Sequence, residues 1–128
     1  MPNKPMTKDN TIPLISEHGE VIYELVGRTA SEPTERHSLA YVVIPPGKSS
    51  LLHSHPIAEE SYYILRGTGR FLLADEERIL LPGEAVVIPP TKSHQILNNG
   101  ESDLEFLAVC VPAWEPTNSV YAEPESQP

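Results

Sequence analysis

Apolar stretches in this chain never run long enough, or with the right period, to build a helix. They come as short runs rich in β-branched and aromatic residues: "EVIYELVG", "LAYVVIPPG", "SYYILRGTG", "RFLLA", "RILLPG", "AVVIPP", "HQILNNG" and "LEFLAVCVP". Each is closed by Pro, Gly, Asn or a polar residue, as strands are. Many short strands at this spacing, with no helical pattern between them, exclude βαβ units and predict an antiparallel sandwich or barrel. The fold class is all-β. At 128 residues the chain is large enough for one real core and too small for a second catalytic module.

The punctuation places the turns and the boundaries. "RGTGR" puts two flexible residues between strand-like runs, "LNNGES" supplies Asn and Gly that tolerate positive φ, and "ADEER" reads as an acidic hairpin tip. Pro45-Pro46 and Pro89-Pro90 mark strand ends. Beyond the last apolar run the composition turns to Pro and Glu. The expected division is a flexible segment over 1–12, a barrel over 13–114 and an irregular tail over 115–128.

Charge and cysteine usage narrow the partners. The formal charge is −9, with Lys and Arg scattered, which argues against a nucleic-acid phosphate backbone. Cys110 is the only cysteine and lies in an apolar run, so it reads as a small buried hydrophobe. The first residues lack the apolar stretch of a secretion signal, and no segment approaches the length needed to cross a bilayer. A cytoplasmic protein without a membrane partner is expected.

The chemistry is concentrated in "HSHPIAEESYYILRG", residues 53–67. Side chains two apart on an extended chain share a face, so His53 and His55 point together and Ser54 points away. Their Cα atoms stand about 6.6 Å apart, and imidazole arms leaning inward can bring two donors onto one ion with bonds of about 2.1 Å. Of Glu59 and Glu60, alternation lets only one face the interior, and parity alone does not choose. If Glu60 points in, so do Tyr62 and Ile64. His94 begins a later strand and supplies a third imidazole. Three imidazoles and a carboxylate suit a divalent first-row transition metal rather than calcium or magnesium, which prefer oxygen shells.

These residues carry a family resemblance. "GKSSLLHSHPIAEESYYILRG" resembles the first cupin motif, matched by Gly47, His53, His55, Glu60 and Gly67. "GEAVVIPPTKSHQILN" resembles the second, matched by Gly83, Pro89, His94 and Asn98, and departs from it where Thr91 stands at the motif glycine. The spacing to Gly67 nominates Glu60 over Glu59. The resemblance implies a single double-stranded β-helix, the jelly-roll cupin barrel, holding one Fe, Mn, Ni, Cu or Zn ion on His53, His55, Glu60 and His94.

Cupins of this size include dioxygenases, isomerases, lyases, decarboxylases and proteins without known turnover, and fold does not choose among them. The resemblance implies an enzyme acting on a small metal-chelating organic substrate, dioxygenase-like, with Glu60 and Tyr62 as catalytic candidates and Tyr41, Tyr62 and Phe106 as pocket candidates. The alternatives are an isomerase or lyase, or a metal-dependent binding or sensing module. Tyr62 is also explained by core packing with a satisfied hydroxyl. Trp114 is placed to close a barrel mouth or a subunit interface. His18 and His37 read as loop or rim residues, and Arg66, Arg70 and Arg78 as solvated or ion-paired side chains, which leaves no evident phosphate pocket. A homodimer is the family-level expectation, with "EVIYELVG" available to extend a neighbour's sheet.

Overall fold

The computed structural model describes residues 4–115 and 119–121. Its strands are β1 (Leu14–Ile15), β2 (Val21–Val26), β3 (Ser38–Ile44), β4 (His53–Ser54), β5 (Glu59–Arg66), β6 (Gly69–Leu73), β7 (Glu76–Leu80), β8 (Ala85–Ile88), β9 (His94–Leu97), β10 (Leu104–Val111) and β11 (Val120–Tyr121). They form two antiparallel sheets, ordered β1-β2-β3-β10-β5-β8 and β11-β4-β9-β6-β7. This is a jelly-roll β-barrel. No helix among the described residues is long and apolar enough to cross a membrane.

Alternation decides which side chains enter the space between the sheets. Along β5, Glu60, Tyr62 and Ile64 are buried while Glu59 and Tyr63 are exposed, as period-two geometry requires when one face is covered. Both sheets contribute in this way to a core that includes Val42, Ile44, Ile64, Phe71, Ile96 and Leu104. Beside this core, Glu20, His53, His55, Glu60 and Tyr62 line a cavity.

The turns show why particular residues occupy them. Gly67 takes φ +76° as the chain leaves β5 for β6 in the other sheet, and a Cβ there would strike the Asp103 carbonyl. Asn98 is buried in the connection from β9 to β10. Its amide donates to the Ile44 and Ser102 carbonyls, each at 2.8 Å, while its Oδ1 accepts from the Gly100 N–H at 2.9 Å. Its motif position therefore reflects loop closure and not ligation. Thr91 takes φ +74°, the left-handed conformation that glycine adopts without cost and a β-branched residue does not. Its N–H donates to the His55 carbonyl at 2.7 Å, so the turn before His94 keeps its shape although the motif glycine is absent.

The chain ends and the first strand pair make contacts of their own. Lys8–Asn10, in the segment expected to be flexible, forms a 3-10 turn capped by Thr7, and the Lys8 ammonium stands 4.5 Å from the Tyr41 ring centroid. Val120 and Tyr121, in the tail expected to be irregular, pair with Ser54 and His53 of β4. Residues 1–3, 116–118 and 122–128 of those segments lie outside the described residues. In the run "EVIYELVG", β2 is bonded along one side to β3, while on the other side only Val21 and Ile22 pair with β1.

Candidate metal centre

Two strands of one sheet and one of the other meet at the site. His53 on β4 lies directly opposite His94 on β9, and β5 presents Glu60 from across the barrel. His55 follows β4 by one residue, on the same side as His53. One ligand-type atom from each of His53, His55, Glu60 and His94 lies within 4.8 Å of every other. Glu59 is exposed on the opposite face, so the choice that parity left open falls to Glu60.

Each imidazole is held by its Nδ1. That atom lies 2.7 Å from the Leu51 carbonyl in His53, 3.1 Å from the Lys92 carbonyl in His94 and 3.1 Å from the Ser119 hydroxyl in His55. A carbonyl only accepts, so Nδ1 of His53 and His94 carries the proton and Nε2 of the neutral ring presents a lone pair. These lone pairs do not find donors. His94 Nε2 stands 3.1 Å and His55 Nε2 3.3 Å from Glu60 Oε1. His55 Nε2 is buried without a hydrogen-bond partner among the described residues.

Electrostatics sharpen the point. Burial pushes the Glu60 carboxyl upward, whereas a proton on the facing His55 or His94 nitrogen, or a cation in the same place, holds it low. Burial, with His94 beside it, lowers His53 to about 4. A buried carboxylate facing imidazole lone pairs is an arrangement of acceptors that lacks a cation. The donor set therefore fits a transition-metal ion on Nε2 and carboxylate oxygen, with each Nδ1 bond orienting its ring.

The cluster opens into a cavity of about 810 Å³. Tyr62 and Phe106 line it, with ring centroids 4.6 Å apart, and the Tyr62 ring is 6.2 Å from that of His94. Burial, reinforced by Glu60, raises the Tyr62 phenol well above its ordinary value, so it stays protonated. Trp114 lines the wall, and its N–H donates to Ser38 Oγ at 3.0 Å. Cys110 is buried and also faces the cavity, where burial, with the neighbouring Glu60 carboxylate, pushes its thiol up and away from nucleophilic character. His18 sits on the rim, 3.4 Å from Ser49 Oγ.

Tyr41 does not belong to this cavity. On β3 the residues that line it are Ser38, Ala40 and Val42, and alternation sends Tyr41 to the outer face, where its hydroxyl donates to Glu105. The run "LAYVVI" is apolar on both faces, so composition did not reveal which side Tyr41 takes. Arg66, Arg70 and Arg78 are also outside it, beside Glu105, Glu77 and Glu76 at 3.9, 2.6 and 3.7 Å.

Sequence reasoning missed three residues here. Ser119 holds His55, and Tyr121 places its ring 5.7 Å from that of His53. Both come from the Pro/Glu-rich tail and carried no local signal. Glu20, buried in the cavity wall, did carry one, because it alternates with Ile22 and Glu24 along a single face.

Comparison with known proteins agrees with this architecture. A family described as "Cupin domain" matches residues 40–110. The chain is 35% identical over 106 residues to an uncharacterized protein of Methanocaldococcus jannaschii, MJ1618, covering 83% of this chain and 84% of that one. It is 40% identical over 72 residues to an oxalate-binding protein of Thermotoga maritima, covering 56% of this chain and 60% of that one. It is 30% identical over 102 residues to a glucose-6-phosphate isomerase of Thermococcus kodakarensis, spanning 54% of that enzyme. Among solved structures, a predicted oxalate decarboxylase of Thermotoga maritima superposes with a TM-score of 0.73 at 28% identity, over 83% of this chain and 96% of that one.

Proposed function

The chain belongs to the cupin family, and from that premise we propose that it holds one divalent transition metal on His53, His55, Glu60 and His94 and presents it to a small organic ligand in the adjoining cavity. The observation that carries the proposal is the convergence of imidazole Nε2 atoms on an ionised, buried Glu60 while all three Nδ1 atoms are engaged. A bound ion of this type supplies Lewis-acid or redox chemistry to a chelated ligand.

The chain's own residues set the rest. Phe106, Val42, Ala108 and Leu51 give the cavity an apolar wall that excludes water from the ligand's body. The Tyr62 hydroxyl, without a hydrogen bond to any described residue, is placed to orient the ligand or to hold a proton during turnover. No Lys or Arg lines the cavity among the described residues, which disfavours a sugar phosphate and separates this site from the substrate named for the Thermococcus relative. The reaction class we assign is oxygen-dependent cleavage of a neutral, enediol-like compound.

A second reading, metal-dependent ligand binding without turnover, draws support from the 40% identity to an oxalate-binding protein. Oxygen uptake separates the two. Protein loaded in turn with iron, manganese, nickel and copper is offered catechols and other enediol-like compounds. Consumption of dioxygen with cleaved product supports the enzyme, and recovery of unchanged ligand from a stable metal-dependent complex supports the binding module. Light scattering tests the dimer that the family leads us to expect, and a 14.1 kDa particle alone would exclude it.

A further inference from the structure

Glu20 is the residue of the cavity wall that neither the fold nor the metal cluster accounts for. Its backbone is fixed, since its carbonyl accepts from the Ser16 N–H at 2.9 Å and its own N–H donates to Ser16 Oγ at 3.3 Å. That closed turn feeds β2, and Glu20 just before the strand lines the cavity together with Ile22 and Glu24 on it. The three buried or half-buried carboxyls of the wall differ in what they touch. Glu60 belongs to the imidazole cluster, and Glu24 accepts from the Thr29 N–H at 2.9 Å and hydroxyl at 2.8 Å. Glu20, 9% exposed, has no side-chain hydrogen bond or ion pair among the described residues, and its carboxyl is not sealed from the cavity it lines.

A carboxyl this enclosed, with no partner from the chain and its residue in the cavity wall, is placed to meet whatever occupies the cavity. The surroundings fix its chemical state. Burial, reinforced by the negative charge of Glu60, raises Glu20 to about 8, so at neutral pH it carries a proton and is a donor. The same surroundings fix what it can donate to. With carboxylates and no Lys or Arg facing the cavity among the described residues, a polyanion is repelled, whereas an apolar body fits against Ile22, Phe106 and Ala108.

We propose that Glu20 is a ligand-recognition residue, donating its carboxyl O–H to an oxygen of an uncharged, largely apolar ligand whose other oxygens meet the metal cluster. This rests on the metal reading above and adds the substrate class: a molecule with adjacent oxygens at one end and an apolar remainder. An acid in such a site acts as a neutral donor, as buried carboxylic acids do when their environment keeps them protonated.

The test loads the full chain with cobalt(II), whose visible spectrum reports both metal binding and ligand binding. Benzohydroxamic acid, neutral in solution at pH 7 and releasing one proton when it chelates, serves as the probe with an apolar body, and oxalate as the small dianionic comparator. Wild-type protein is expected to bind benzohydroxamic acid at least about tenfold more tightly than oxalate. Glu20→Leu is expected to lose about tenfold for benzohydroxamic acid, the order of one buried hydrogen bond, while Glu20→Gln, which keeps an N–H donor, stays within about threefold of wild type. Tighter binding of oxalate would overturn the ligand class. Equal binding by Glu20→Leu and wild type, or equal losses in the Leu and Gln variants, would overturn the donor role while leaving the metal site standing. Failure of wild type to take up cobalt would remove the metal reading and this inference together.

Discussion

His53 and His94 face each other across β4 and β9 with ring centroids 4.2 Å apart, and each anchors its Nδ1 on the carbonyl two residues earlier in its own chain segment, Leu51 and Lys92. The repeated device means that backbone geometry, and not a flexible side chain, sets both rings. Neither ring can turn away from the shared point without losing that bond.

Metal content is therefore expected to depend on both rings. Protein purified without chelators is expected to carry near-stoichiometric transition metal, with His53→Ala and His94→Ala each losing most of it. Outer-shell changes at metal sites already cost about 10–100-fold in affinity, so removal of a ligand should cost at least that much. Elemental analysis of the three proteins reads the result, and equal metal in wild type and both variants would remove the site.

Ser119 should behave differently from the ligands. Its hydroxyl lies 3.1 Å from His55 Nδ1, so Ser119→Ala leaves the donor set intact but frees one ring to turn and to change tautomer. Metal affinity should fall about tenfold with stoichiometry unchanged. Competition with a chromophoric chelator measures it, and an affinity equal to wild type would mean that β11 covers the site without orienting it.

How much of this was legible in the sequence follows from how local each signal is. His53, His55, Glu60 and His94 were nominated because a two-residue repeat and motif spacing are local properties that strand geometry converts directly into facing side chains. Tyr41 was misplaced because a strand apolar on both faces gives no parity signal. Ser119 and Tyr121 reach the site through a pairing of residues more than 60 positions apart, which no local pattern encodes. Glu20 carried a parity signal through Ile22 and Glu24, but which face of that run is covered is set by the pairing of β2 with β3, which the run itself does not encode.

Thr91 offers a test of the turn that precedes His94. Holding a non-glycine residue in the left-handed region costs about 1–2 kcal/mol, while glycine adds about 0.4–1 kcal/mol of unfolded-state entropy. Thr91→Gly is thus expected to stabilise the fold by roughly 0.5–1 kcal/mol, the difference of the two. The Thr91 N–H bond to the His55 carbonyl involves the backbone alone, so metal content should not change. Denaturant unfolding of the metal-free proteins reads the shift, and a destabilised glycine variant would show that the threonine side chain contributes a contact outweighing the strain.

Glu20 also predicts a pH dependence that the wild type has and Glu20→Gln lacks. Burial and the charge of Glu60 place its folded-state value near 8, against 4.5 for an unperturbed carboxyl. Below 4.5 both folded and unfolded chains hold the proton and the group costs nothing through ionisation. Between 4.5 and 8 the unfolded chain releases a proton that the folded chain keeps, so folding stability falls as pH rises, by at most about 1.4 kcal/mol per pH unit. Above 8 both forms are ionised and the loss stays. Other titratable groups share the cavity: Glu17 and His18 ahead of β2, Glu24 along it, Glu60 and Tyr62 on β5, Cys110 on β10, Tyr121 on β11, and His53 and His55 at β4. They are present in both proteins, so the difference between wild type and Glu20→Gln isolates the one carboxyl. Denaturant unfolding of metal-free protein at pH 5 and pH 8 should show the Gln variant gaining on wild type by a few kcal/mol across that window. Parallel stability at the two pH values would mean that Glu20 ionises as freely in the barrel as in water, and that its carboxyl is open to solvent when the protein is folded.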